Sequence, residues 1–395
     1  MNKSAKIFSP KSYTGGNTAE LIRGGKDFFS KLREMIDSAH STIHIQNYIL
    51  DDDETGRSIC NVLKRASQRG VNVFMMLDAW GSRALSDEFI GSLKDSGINF
   101  RWFGKLITKR GFHIGRRLHH KIIVCDSHSS LVGGMNFANR YHGNDGRLPW
   151  LDFSVYSEGN ISILLERVCQ KFWKRNPLKK RFHFVKKKIN TRDLSEKNSL
   201  LMRVRENDWM LRKFQVMASY RKAVMASNES LSIFGAYFLP GFRFLYRLRR
   251  AGQRGVKIRI VVPAKSDSNI GNTARNYIYS FLLRNNIELY EYTRTMLHAK
   301  VCVVDGAWSA IGSYDLNHLS AYSNVEANVE ILDNDFASQF LREMDAVIKN
   351  DCRQVTIESY GKKLTILNRV RYWVAYHTIR LLFRISILLA SKVEE

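Results

Sequence analysis

The pattern His-x-Lys, then four residues, then Asp, occurs twice in this chain of 395 residues. The copies are His119-His120-Lys121-Ile122-Ile123-Val124-Cys125-Asp126 and His298-Ala299-Lys300-Val301-Cys302-Val303-Val304-Asp305, 298 − 119 = 179 positions apart. Each leads after six residues into a turn of small residues, Gly133-Gly134-Met135-Asn136 and Gly312-Ser313-Tyr314-Asp315. Two matched copies constrain the chain to two related halves around one site. The spacing is far longer than the periods of about 20–50 residues that build solenoids, so a whole domain is duplicated.

The repeat reaches beyond the motif. Phe28, Leu32, Met35 and Ile36 follow helical spacing, and the apolar run Thr42 to Leu50 reads as a strand. The second half answers with a helix over about Arg212 to Ala226 and a strand from Leu231 to Leu239. Arg69-Gly70-Val71 and Arg254-Gly255-Val256 then enter the strands Val73 to Leu77 and Ile258 to Val262. Strands alternating with helices predict an α/β fold: two homologous lobes of mixed sheet flanked by helices, in pseudo-twofold arrangement with one shared site. The expected divisions are a first lobe over 1–165, a basic connector over 166–205, a second lobe over 206–350 and a basic tail over 351–395.

The net charge of +25 points to an anionic partner, either nucleic acid or a lipid surface. The five cysteines are scattered with no CxxC, which reads as a reduced compartment without a zinc site. The amino-terminal residues lack the apolar core of a signal peptide, and no run of about 18 uncharged apolar residues predicts a transmembrane helix. In the tail, Leu364 to Ala390 is apolar but interrupted by Arg369, Arg380 and Arg384, which fall within about 60° of one another at 100° per residue. With Tyr372, Trp373 and Tyr376 this predicts a basic amphipathic helix on an anionic membrane; a helix docked on the core is the alternative. Asp51-Asp52-Asp53-Glu54 reads as a helix-capping loop rather than a metal site.

On a strand, His119 and Lys121 share one face, as do His298 and Lys300. Two imidazoles and two ammonium groups meeting in one cleft suit a phosphodiester. The lysines would neutralise the non-bridging oxygens, one histidine would attack phosphorus, and the other would move the proton. This cycle calls for no metal and no cofactor. A carboxylate is needed to fix each imidazole tautomer. The candidates by position are Asp152 for His119 and Glu326 for His298, while Asp126 and Asp305 read as turn or scaffold residues.

At these residues the chain resembles the phospholipase D superfamily. More narrowly it resembles bacterial cardiolipin synthases of the short form without amino-terminal transmembrane segments. Ala236-Tyr237-Phe238-Leu239-Pro240-Gly241 and Asn324-Val325-Glu326-Ala327-Asn328 carry the narrower resemblance. The resemblance implies transfer of a phosphatidyl group from phosphatidylglycerol, with glycerol released and cardiolipin formed. It makes His119, Lys121, His298 and Lys300 catalytic, with His119 as nucleophile and His298 as general acid and base. It makes Asn136 and Ser313 phosphate contacts. Gly134 stands where many members have Ser, and Asp315 where Asn is usual, so Asn317 is a substitute phosphate contact. The expected partners are anionic phospholipid and a membrane surface, at the cytoplasmic face of a bacterial inner membrane. A hydrolytic phospholipase D is the alternative. A nuclease is disfavoured because the aromatics are not interleaved with Lys and Arg as a base-stacking platform requires.

Overall fold

The structure, a computed structural model, describes residues 9–104, 107–108, 111–112, 116–144, 146–174, 199–266, 269–362 and 364–392. Most of the basic connector lies outside the described residues. So does the Arg384 side chain.

Each half builds a mixed sheet, and the two sheets repeat one order. In the first, the strands run Asn17–Arg23, Phe153–Gly159, Ser129–Gly133, Ile122–Cys125, Thr42–Asn47, Asn72–Asp78 and Asn99–Phe103. In the second, the corresponding strands are Leu201–Asp208, Asn324–Leu332, Trp308–Gly312, Lys300–Val304, Ser230–Gly235, Lys257–Pro263 and Glu288–Tyr292. The last three strands of each series are parallel to one another, joined through helices, and the others are antiparallel.

Alternation along the motif strands explains why they are apolar on both faces. Ile122 and Val124 enter one apolar core with Val301, Val303 and Phe153. That core draws residues from both halves, so the two sheets are packed face to face. Ile123 and Cys125 turn instead to the helices outside the first sheet, and Cys302 and Val304 to those outside the second. The two halves therefore share a core, with helices on the outer faces. Phe153 against Phe234, with ring centroids 6.2 Å apart, is one such contact across the lobes.

The divisions in the chain fall differently from the changes in composition. The helix Asn160–Lys174 runs through residue 165, and Leu201–Asp208 is already a strand of the second sheet. Cys352–Val355 pairs antiparallel with Glu288–Tyr292, so that sheet continues past residue 350. Tyr360 then anchors the chain by donating its hydroxyl to the Asn276 carbonyl at 2.7 Å.

The helix Ile366–Lys392 lies along the helix Asn269–Arg284. Ala375, Tyr376 and Ile379 are buried beneath it, and the Tyr277 and Tyr376 rings stack at 4.6 Å. The other face exposes Ile366, Leu367, Val370, Trp373, Val374, Leu381 and Leu382. Of the arginines grouped by 100° spacing, Arg369 is exposed. Arg380 turns inward, its guanidinium 4.7 Å from the Phe242 ring. The tail helix is docked on the core and presents an apolar face outward. Among the described residues no helix is long and apolar enough to cross a membrane.

Candidate active site

Each His-x-Lys segment sits at the start of its strand rather than within it. His119 to Lys121 precede the strand Ile122–Cys125, and Lys300 opens the strand Lys300–Val304. The alternation still holds. His120 points away from Lys121, with Nε2 2.7 Å from the Gln46 amide oxygen and its ring against Phe172. Asp126 and Asp305 close the hairpins with φ of 54° and 51°, a left-handed conformation that Asp tolerates better than most residues. Asp126 accepts the backbone N–H groups of His40, Ser41 and Thr42. Asp305 accepts those of Asn228, Glu229 and Ser230. Both carboxylates thereby tie the motif hairpin to the start of the neighbouring antiparallel strand, Thr42–Asn47 or Ser230–Gly235.

Bridges between the lobes assemble the site. Leu118 pairs in parallel with Val325, and the N–H groups of His119 and His120 both donate to the Val325 carbonyl. Leu297 pairs in parallel with Leu151, and the His298 N–H donates to the Leu151 carbonyl at 2.8 Å. The residue after each bridge is a histidine on one side and a carboxylate on the other. His119 Nδ1 therefore lies 2.9 Å from Glu326 Oε1, and His298 Nδ1 lies 2.8 Å from Asp152 Oδ2. This reverses the expected pairing within each half, because the bridges that align these residues run between the lobes.

The lysines match each other. Lys121 Nζ donates to the His119 carbonyl and Lys300 Nζ to the His298 carbonyl, both at 2.6 Å, and both side chains are buried. Burial pushes Lys121 down to about 7. Lys300 also lies 3.7 Å from Asp315 Oδ2. Burial lowers His298 well below the usual imidazole range, and the positive charges of Lys300, Lys121 and His119 add to this effect. The two bridges between the lobes bring both motifs to the seam between the sheets.

The two carboxylates differ. Burial would raise Glu326, but His119, Lys121 and the Ser313 hydroxyl outweigh it and hold Glu326 below the ordinary range. Ser313 donates to Glu326 Oε2 at 2.5 Å and Asn324 to Oε1 at 3.1 Å. Asp152 has no such hydroxyl. The residue equivalent to Ser313 is Gly134, and a Cβ there would meet Asp152 Oδ2 at 2.3 Å. The glycine makes room for the carboxylate, which accepts from the Phe153 N–H and is raised by burial to about 7.

The expected phosphate contacts are engaged within the protein. Asn136 is buried, accepting from the Ile49 N–H and donating to the Tyr141 hydroxyl at 2.7 Å. Ser313 orients Glu326. Asn317 caps the helix His318–Tyr322 by accepting from the Ser320 N–H, and it also donates to the Tyr237 carbonyl. Asp315 accepts from the Tyr237 N–H, and burial raises its carboxyl. Asp53 caps the helix Glu54–Gln68. Tyr141 was missed altogether: its hydroxyl stands 3.4 Å from His298 Nε2, the ring nitrogen opposite the Asp152 contact. Asn136 is the indirect signal, since its side chain holds that hydroxyl. Among the described residues no group of His, Cys, Asp and Glu is arranged to hold a metal ion.

The family model described as "Cardiolipin synthase, PLD-like domain" matches residues 32–146 and 220–348. Cardiolipin synthase B of Salmonella typhimurium is 31% identical over 92% of this chain and 88% of its own length. The minor cardiolipin synthase of Bacillus subtilis is 27% identical over 93% of this chain and 90% of its own length. Among solved structures, phosphatidylserine synthase of Haemophilus influenzae superposes with a TM-score of 0.68 at 14% identity, covering 98% of this chain and 99% of that one.

Proposed function

The chain belongs to the cardiolipin synthase, phospholipase-D-like domain family, and we propose that it is a phosphatidyltransferase making cardiolipin from phosphatidylglycerol. The observation that carries this reading is the pair of histidines, each held through Nδ1 by the other lobe's carboxylate and each beside a buried lysine.

His119 Nε2 attacks the phosphorus of one phosphatidylglycerol. The bond to the glycerol oxygen breaks, and His298, brought to its charged form by the bound phosphodiester anion and Asp152 against the effect of burial, gives that oxygen the proton on Nε2. Glycerol leaves and a phosphatidyl-histidine remains. The glycerol hydroxyl of a second phosphatidylglycerol then returns a proton to His298 and attacks phosphorus, expelling the His119 nitrogen as cardiolipin forms. Lys121 and Lys300 stabilise the charge on the non-bridging oxygens. Glu326, with three donors including Ser313, supports the charge that His119 gains while bonded to phosphorus. His119 is open to the cleft by 13% of its side chain against 5% for His298, which favours His119 as nucleophile.

The chain works at a membrane surface. The outward apolar face of the tail helix and the net charge of +25 support peripheral attachment to an anionic leaflet, the cytoplasmic face of a bacterial inner membrane.

The test is incubation with phosphatidylglycerol vesicles in EDTA, followed by separation of the lipids. Cardiolipin with an equal amount of glycerol is the expected product. Phosphatidic acid alone would make the chain a hydrolase, and no turnover on any phospholipid would overturn the reading.

A further inference from the structure

A cavity of about 1160 Å³ opens beside the tail helix, away from both histidines. Its walls come from the helices Phe242–Gln253, Asn269–Arg284, Ile357–Gly361 and Ile366–Lys392. Leu245, Ile278, Phe281 and Leu283 supply apolar wall, and Val370 and Trp373 close the side toward the exposed tail face. Arg249, Arg284 and Arg369 also line it, and no Asp or Glu does. Among the described residues none of these three guanidinium groups is ion-paired with a carboxylate. Arg284 donates one N–H, from Nε, to the Ser280 carbonyl of its own helix at 3.2 Å.

We propose that this cavity binds one anionic phospholipid as a non-substrate ligand, with acyl chain in the apolar trough and phosphate among the three arginines. The size exceeds the usual range for small-molecule pockets and suits a long apolar chain. Three arginines without a carboxylate partner around an apolar trough complement an anionic head on an apolar tail, and basic pockets at membrane surfaces hold such head groups. The entrance adjoins Val370 and Trp373, on the face that would meet a bilayer. A bound lipid would join the tail helix to the two lobe helices beneath it, coupling attachment of the tail to the presence of anionic lipid.

The test uses the full chain and phosphatidylcholine vesicles doped with phosphatidic acid carrying a photoactivatable acyl chain. Phosphatidic acid has no head-group alcohol to transfer, so labelling reads binding independently of the catalytic reading. The expected adducts fall within residues 277–285 and 364–373, and they drop at least fivefold in the triple variant R249Q/R284Q/R369Q. The triple lysine variant should retain most of the labelling, and circular dichroism should show all three proteins equally folded. Equal labelling by photoactivatable phosphatidylcholine would overturn the proposal, as would adducts confined to the histidine cleft. Loss of the label on adding millimolar inorganic phosphate would also overturn it, since the site would then select the free anion.

Discussion

His119 of the first lobe and Glu326 of the second share a hydrogen bond of 2.9 Å, although 207 residues separate them in the chain. The parallel bridge between Leu118 and Val325 sets this contact, because the next residue on each side is then forced alongside. The same construction joins Leu297 to Leu151 and thus His298 to Asp152. Neither lobe completes its own histidine.

Glu326→Gln should therefore act on His119. It keeps the shape and removes the charge, and a fall in kcat of about 10²–10⁴ is expected from the loss of an oriented, charge-balanced imidazole. Because His119→Ala removes the nucleophile and with it turnover, double-mutant cycles on unfolding free energy read the pairing directly. His119→Ala with Glu326→Gln should show a coupling of about 1–3 kcal/mol, and His119→Ala with Asp152→Asn clearly less. Equal coupling in both cycles would contradict the crossed arrangement.

The second pair carries a pH signature. Burial raises Asp152 to about 7, so the group is ionised above that pH and protonated below it. Turnover should fall as pH drops through about 7, because a protonated Asp152 no longer balances the charge on His298. Stability runs the other way. A carboxyl raised in the folded state favours folding below its unfolded value of 3.8, and that advantage is lost as pH rises through the folded value. Asp152→Asn should gain roughly 2–3 kcal/mol relative to the parent between pH 5 and pH 8 in denaturant unfolding. An unchanged difference across that range would mean that Asp152 titrates normally.

Gly134 has a specific reason to lack a side chain. A Cβ there would meet both Asp152 oxygens, at 2.3 and 2.8 Å. Gly134→Ala should displace that carboxylate, costing about 1–3 kcal/mol of stability and about tenfold or more in kcat. Gly312→Ala is not an equivalent control, since its Cβ would meet the Ala327 carbonyl instead. Flattening of the acidic limb near pH 7 in the Gly134→Ala profile would tie the loss to Asp152.

The fold was legible where local chemistry decides structure. Apolar runs such as Val73 to Leu77 could only be buried strands, and the observed strand is Asn72–Asp78. Asp126 and Asp305 stood at turns and do serve as turn acceptors. Glu326 and Asp152 were legible as partners but not whose partners they were. Spacing along a chain favours the nearer carboxylate, and nothing local encodes a bridge between Leu118 and Val325. Asn317 lies three residues before Ser320, the spacing of a helix cap, and that local role is the one observed. Arg380 departs from the expected basic face because angular position on a helix does not say which face docks. Arg380 packs its apolar stem and its charge against Phe242 and Tyr376.

Tyr141 offers the clearest view of His298. Its hydroxyl lies 3.4 Å from Nε2 and is held by Asn136, close to where an alcohol oxygen would exchange its proton. Tyr141→Phe removes one oxygen and leaves the ring packed on Trp150 and His298. A loss of about tenfold in kcat with little change in KM is expected, the size of one hydrogen bond. A rise in KM alone would assign the hydroxyl to lipid binding rather than to positioning His298.

The outward face of the tail helix makes the last prediction. Ile366, Leu367, Val370 and Val374 are each exposed by about half or more, an apolar patch that a protein surface rarely carries without a use. Replacing Ile366, Leu367 and Val374 by Ser leaves Ala375, Tyr376 and Ile379 to hold the helix on the lobe, so the fold should persist. Each exposed side chain that inserts into a bilayer contributes about 1–2 kcal/mol, so three together should lower vesicle affinity at least tenfold. Sedimentation with phosphatidylglycerol vesicles measures this, and turnover on a short-chain, micelle-free phosphatidylglycerol serves as the control. Unchanged sedimentation would leave the face to a protein partner. Loss of turnover on the soluble lipid would mean that the helix supports the lobe rather than the membrane contact.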